Sequence, residues 1–265
     1  MFFNKAQAME LIDTHAHLTF EELEENIDAV VARSIDAGVT SWITVGTDPD
    51  QIKKVLALIE KHDNMYAALG FHPHEANQVT PGDLEYLKES AKHEKVVAVG
   101  ETGLDFHYDH SPRDIQKEIF SKHLRIASEV NLPVVVHTRE AFDETLEILE
   151  EFTGRLKKVV IHCYSGTIRQ TKYVLDKGYY VSFTGIVTFK KTDDVRTAAK
   201  LVPLDRLMIE TDCPFISPEP VRNKRPCEPA MLIHTAKKLA EVKEIDLEEF
   251  AEAVTATSKG FFNLP

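Results

Sequence analysis

Glu10-Leu-Ile-Asp-Thr-His15-Ala-His17 carries an apolar run of strand length into two histidines separated by one residue. The pattern recurs as Lys95-Val-Val-Ala-Val-Gly-Glu101, Pro133-Val-Val-Val-His137, Lys158-Val-Val-Ile-His162 and Leu207-Met-Ile-Glu-Thr-Asp212. Aliphatic and β-branched runs of this length read as strands. One strand ending on a polar residue is ordinary, but five ending on His, Glu or Asp point to side chains that converge. The full strand set, expected near 10–16, 41–46, 65–71, 95–100, 133–137, 158–162, 179–184 and 207–211, alternates with amphipathic segments. Near-continuously apolar strands belong to a parallel sheet covered on both faces. Eight such βα units predict an α/β protein built as a (β/α)8 TIM barrel, whose working side chains gather at the C-terminal strand ends.

Helix punctuation supports the alternation. Thr19 followed by Glu22 has capping-box spacing, while Thr80 before Pro81 and Ser111 before Pro112 pair a capping residue with a first-turn proline. Gly38 and Gly178 fall where helices should stop. The stretch 243–260 reads as one added C-terminal helix.

At 265 residues, 43% hydrophobic and 28% charged, the chain matches one barrel domain of about 250 residues. A single domain over 9–265 is expected, with 1–8 as a leader or extension and Met9 as an alternative start. Residues 1–8 are too short and too weakly apolar for a signal peptide, and no run approaches the roughly 18 apolar residues of a membrane span. The expectation is a soluble, cytoplasmic protein without membrane contact or an obligate protein partner. Cys163, Cys213 and Cys227 are odd in number and lack C-x-x-C spacing, which favours neither a disulfide framework nor a thiolate zinc site. A net charge of −12 opposes diffuse coating of nucleic acid. It leaves room for a polyanionic substrate held at one spot by cations.

Side chains alternate along a strand, so His15 and His17 point the same way and can grip one ion together. With His137, His162, Glu101 and Asp212 from strands 5, 6, 4 and 8, the donor set holds four imidazoles and two carboxylates. That is more than one tetrahedral ion uses. Glu101 comes from the strand between the two histidine groups and is the natural bridge of a binuclear centre, with ions about 4 Å apart.

Asp13-Thr-His-Ala-His-Leu18, Gly70-Phe-His-Pro-His74, Gly100-Glu-Thr-Gly-Leu-Asp105, His137-Thr-Arg-Glu-Ala141, His162-Cys-Tyr-Ser-Gly166 and Glu210-Thr-Asp-Cys-Pro-Phe215 together closely resemble the TatD family of metal-dependent deoxyribonucleases. The resemblance runs from 11 to about 240. It implies a metallo-dependent hydrolase barrel with divalent cations that hydrolyses DNA phosphodiesters, with 3′-to-5′ exonuclease activity on single-stranded DNA or 3′ ends. Imidazole and carboxylate donors together suit two cations of zinc, manganese, nickel or iron, with magnesium as the weaker binder. The resemblance also implies that His15, His17, Glu101 and Asp212 serve one cation, and Glu101, His137 and His162 the other. The loop Arg222-Asn-Lys-Arg-Pro-Cys-Glu-Pro229 departs from the family's usual Arg-Gly-Lys-Arg-Asn-Glu-Pro by one extra residue.

Asp212, at the rim, is placed to accept the attacking water's proton. His72, at the end of strand 3, is expected to donate to a phosphate oxygen, with His74 the weaker candidate. Arg139 and Arg222 are the expected substrate contacts because Arg holds phosphate bidentately. Glu210 and Asp13 share faces with Asp212 and His15, and each needs a partner if buried. Phe71, Phe106, Tyr108, Tyr164 and Phe215 adjoin the donors and have the chemistry to stack a base of single-stranded DNA, but aromatics near a barrel mouth are more often packing, and they are read so. Two other readings stay open on these residues: the same metal site acting on an acyl ester, amide or lactone such as an aminoacyl-tRNA ester, and a non-enzymatic metal-binding scaffold. A bridging Glu101, where many related barrels use a carbamylated lysine, favours the nuclease.

Overall fold

The computed structural model describes residues 9–265, so the expected extension over 1–8 lies outside the described residues. Eight parallel strands follow one another around the sheet in chain order: β1 (Leu11–Ala16), β2 (Val39–Gly46), β3 (Met65–Leu69), β4 (Val96–Asp105), β5 (Val134–Arg139), β6 (Val159–Ile161), β7 (Tyr180–Phe183) and β8 (Leu207–Ile209). The ring closes just past β8. Asp212 N–H donates to His15 O at 3.0 Å and His17 N–H to Cys213 O at 2.8 Å. Asp13 adds a side-chain seam by accepting from Thr211 N at 2.9 Å and Thr211 Oγ1 at 2.5 Å. Asp13 is thus a barrel-closing group, and burial pushes its carboxyl up to about 7 against those hydrogen bonds.

The two-residue strand period divides the core. Val134, Val136, Val159, Ile161, Leu207 and Ile209 face the helices in the larger apolar cluster. Val135, Val160 and Met208 turn inward and meet Phe261 and Phe262. Two residues farther along each strand, the inward positions become His137, His162 and Glu210. The lower barrel is therefore an apolar plug, and its upper layer is polar.

The helices are α1 (Glu21–Glu24), α2 (Ile27–Asp36), α3 (Pro49–Ile59), α4 (Pro81–Ser90), α5 (Arg113–Val130), α6 (Phe142–Glu151), α7 (Ile168–Asp176), α8 (Asp193–Leu201), α9 (Leu232–Lys243) and α10 (Leu247–Phe262). Thr80 caps α4 in a reciprocal box with Asp83. Gly38 and Gly178 follow α2 and α7 at φ +89° and +73°, a conformation that costs glycine little. Three expectations need correction. Thr19 does not cap α1, because its hydroxyl donates to Gln51 Oε1 at 2.6 Å and Phe20 takes the cap position without a side-chain bond. Ser111 does not cap α5 either: Pro112 holds that position, and Ser111 Oγ donates to His74 O at 2.7 Å. The added helix begins at Leu247, not near 243, because left-handed Glu244 (φ 60°) ends α9. Among the described residues, no helix is long and apolar enough to cross a membrane.

Candidate metal centre

Strand β4 positions the central carboxylate. A Cβ on Gly100 (φ +139°) would lie 2.4 Å from Val135 O, and one on Gly103 (φ +145°) 2.0 Å from His137 O. Only glycine fits either position, and these two let β4 pass close to β5 while Glu101 turns inward. Buried Glu101 then divides its oxygens. Oε2 faces His15 Nε2 at 3.4 Å and His17 Nε2 at 3.8 Å, whereas Oε1 faces His137 Nδ1 and His162 Nε2, both at 2.8 Å. Asp212 Oδ1 completes the first group, 3.4 Å from His17 Nε2 and 3.7 Å from His15 Nε2.

All six expected donors therefore meet in one place, in two groups sharing one carboxylate. Within each histidine pair the facing nitrogens lie 3.2 Å apart. Two nitrogens at about 2.0–2.1 Å from a tetrahedral ion are separated by about 3.3 Å. The spacing and the donor chemistry both fit divalent cations.

Charge within the cluster is strongly coupled. Burial alone would raise Glu101, but the charge of His162 and hydrogen bonds from His137 and His15 hold it well below the usual carboxylate range. Burial would likewise lower His162, yet Glu101 and Glu210 carry it well above an ordinary imidazole. His15 is lowered by burial and by the nearby charge of His162, whose ring stacks on it at 4.1 Å.

Supporting residues fix the donors. Glu210 accepts from Cys163 N at 2.6 Å and Ser182 Oγ at 2.5 Å, and it stands 3.4 Å from His162 Nδ1. The expected partner of this buried carboxylate is thus a donor histidine. Asp105 was not singled out in the sequence, although it lies four residues beyond Glu101 on the same inward face. Its Oδ2 stands 3.1 Å from His137 Nε2 and 3.1 Å from His74 Nε2, and its Oδ1 accepts from His107 N and Tyr108 N. Asp105 thereby turns His137 so that Nδ1 faces the cluster.

His72 lies in the cavity wall with Nε2 3.5 Å from Glu101 Oε1, as close as His15 is to the other oxygen. Its Nδ1 accepts from His74 N at 3.2 Å, which leaves the proton on Nε2. Burial holds it well below an ordinary imidazole despite Glu101. Neutral His72 is therefore a hydrogen-bond donor aimed at the centre, beside Glu101 and His137.

The cluster floors a cavity of about 830 Å³ that Arg139 lines, its guanidinium 4.8 Å over the Tyr108 ring. Arg139 is the one Arg or Lys among the described lining residues. Arg222 is not brought to the cavity: it is exposed, 3.9 Å over Phe189. In the same loop, Glu228 forms a two-point ion pair with Arg33 at 2.8 and 2.9 Å. Phe71, Phe106 and Tyr164 are buried packing residues, whereas Tyr108 and Phe215 remain about half exposed at the cavity mouth.

Comparison with known proteins gives the chain's family. The sequence pattern of the family described as TatD related DNase matches residues 12–263. The "uncharacterized metal-dependent hydrolase YabD" of Bacillus subtilis is 41% identical over 254 residues, covering 96% of this chain and 99% of that protein. The "3'-5' ssDNA/RNA exonuclease TatD" of Shigella flexneri is 32% identical, covering 96% and 99%. Among solved structures, the TatD homolog YJJV of Escherichia coli superposes with a TM-score of 0.92 at 29% identity, over 98% of this chain and 100% of that one.

Proposed function

The chain belongs to the TatD-related DNase family of metal-dependent hydrolases acting on ester bonds, and on that premise we propose that it is an exonuclease cleaving single-stranded DNA from the 3′ end at a two-cation centre. The observation that carries this reading is the division of Glu101, one oxygen toward His15 and His17 and the other toward His137 and His162. The exonuclease name of the Shigella relative supports the substrate class. Three free cysteines, Cys163, Cys213 and Cys227, agree with residence in the reducing cytoplasm. The domain is taken as 9–265.

His15, His17, Glu101 and Asp212 would hold one cation, and Glu101, His137 and His162 the other. Two such cations, when bound, activate water and stabilise charge on the attacking and leaving oxygens of an in-line displacement. The protein's own groups supply the rest. Asp212, the most open of the donor carboxylates at 14% exposure, accepts the proton of the attacking water. His72 donates from Nε2 to a non-bridging phosphate oxygen, and Arg139 engages a neighbouring phosphate at the mouth. Burial of Glu101 and His15 keeps bulk water from the cluster floor, which strengthens these electrostatic contacts.

The test is incubation with 5′-end-labelled single-stranded DNA, with and without EDTA. Progressive shortening from the 3′ end that stops with chelator is the expected result. Intact DNA alongside rapid hydrolysis of acyl esters or lactones would assign the centre to acyl substrates instead.

A further inference from the structure

Phe215 is an apolar ring left 51% exposed in the wall of the metal cavity. A turn fixes it there, with Phe215 N–H donating to Asp212 O at 3.1 Å, so the ring is tied to a donor carboxylate three residues back. Its ring centre lies 5.6 Å from that of His17 at 66° and 5.7 Å from that of Phe20 at 84°. Both contacts are steeply inclined, and neither covers a ring face with a parallel partner. Tyr108 differs: it already stacks parallel to His110 at 5.5 Å and 8° and carries Arg139. Tyr108 follows β4 and Phe215 follows β8. In an eight-stranded ring these strands are opposite, so the available flat surface and the cation Arg139 face each other across the donor cluster.

A planar occupant on Phe215 would sit beside His17, one ring's width from the cluster. In a nucleic acid chain the base is joined through its sugar to the phosphates on either side. Placing a phosphate among the donors and the next one toward Arg139 thus brings a base to Phe215. A base within a duplex has both faces stacked and its edge paired, and cannot reach such a wall without leaving the helix. We propose that Phe215 is the stacking platform for an unpaired base flanking the scissile phosphate, which makes it a positioning residue that selects unpaired over paired ends. This rests on the nuclease reading above.

A double-mutant cycle between ring and base tests it. KM and kcat are measured for wild type and Phe215→Leu on two oligonucleotides, one intact and one abasic at a nucleotide flanking the cleaved bond, each flanking position in turn. Base–aromatic stacking predicts a rise in KM of about 10- to 100-fold for Phe215→Leu on the intact strand, and a similar rise for wild type on the correctly placed abasic strand. The two losses should overlap, so that variant and abasic strand together are little worse than either alone. Phe215→Trp should retain tight binding, and an unchanged melting temperature of Phe215→Leu excludes unfolding as the cause. A KM change below about twofold, or losses that multiply at both flanking positions, overturns the platform while leaving the nuclease reading intact. Failure of the metal-loaded wild type to cleave either oligonucleotide overturns the nuclease reading and the platform together.

Discussion

Replacing Asp105 by Asn tests whether the inner geometry of the centre is set from outside the donor set. The substitution preserves size and lets Oδ1 go on accepting from His107 N and Tyr108 N, so the turn after β4 should persist. What changes is the atom 3.1 Å from His137 Nε2, which becomes an amide N–H. Two donors then face each other, and His137 relieves the clash by moving its proton to Nδ1. That nitrogen is the one 2.8 Å from Glu101 Oε1, where a free lone pair is needed to hold a cation. Removal of such a partner typically lowers metal affinity or activity 10- to 100-fold, which corresponds to about 1.4–2.7 kcal/mol. Calorimetric titration of the chelator-stripped variant with Zn²⁺ or Mn²⁺, alongside kcat on an oligonucleotide, reads this directly. The expected result is weaker binding with an unchanged melting temperature. Affinity within about twofold of wild type would refute the claim that Asp105 orients His137.

Asp212→Asn should cut kcat by at least about 10²-fold, the ordinary scale of general-base catalysis, while metal analysis still finds bound cation; full turnover would remove Asp212 from proton transfer. Arg139→Ala should raise KM for nucleic acid about 10- to 100-fold, the scale of a charge-assisted hydrogen bond, with Arg139→Lys intermediate and kcat less affected. A fall in kcat at constant KM would contradict a phosphate-binding role. His123, buried in α5, accepts from Phe71 N at 2.9 Å and donates to Ile119 O, and burial lowers its pKa from 6.5 to about 4. Its folded form stays neutral while the unfolded chain takes up a proton, so its contribution is present above pH 6.5 and is lost as pH falls toward 4. At about 1.4 kcal/mol per pH unit this window carries about 3 kcal/mol, and urea unfolding of His123→Gln should show a correspondingly flatter acid limb; parallel curves would contradict the assignment.

Strand positions were legible because short, near-continuous aliphatic and β-branched runs bounded by turn residues leave few alternatives, and most ends fall within a residue or two of expectation. β4 is the exception. Glycine normally weakens a strand, so Gly100 read as its end, yet the strand continues to Asp105 because the β5 backbone lies too close to Gly100 and Gly103 for any Cβ. That close approach is tertiary and invisible in one sequence. The same shortened reading hid Asp105, whose parity with Glu101 was the available signal. The six donors were legible because each follows a short apolar run, and barrel closure brings the C-terminal halves of the strands together. Arg222 follows no strand, so its nearness in sequence to Asp212 did not determine where its side chain would lie. Thr19 and Ser111 had helix-capping chemistry, but each hydroxyl found a tertiary partner first.

The most direct measurement is the cation content of the purified protein after equilibrium dialysis against Mn²⁺ or Zn²⁺, compared with Glu101→Ala. Two tightly held ions per chain, with both sites weakened together in the variant, is the expected result, because one carboxylate serves both histidine pairs. A single ion, or two ions retained undiminished without Glu101, would contradict the shared-carboxylate centre.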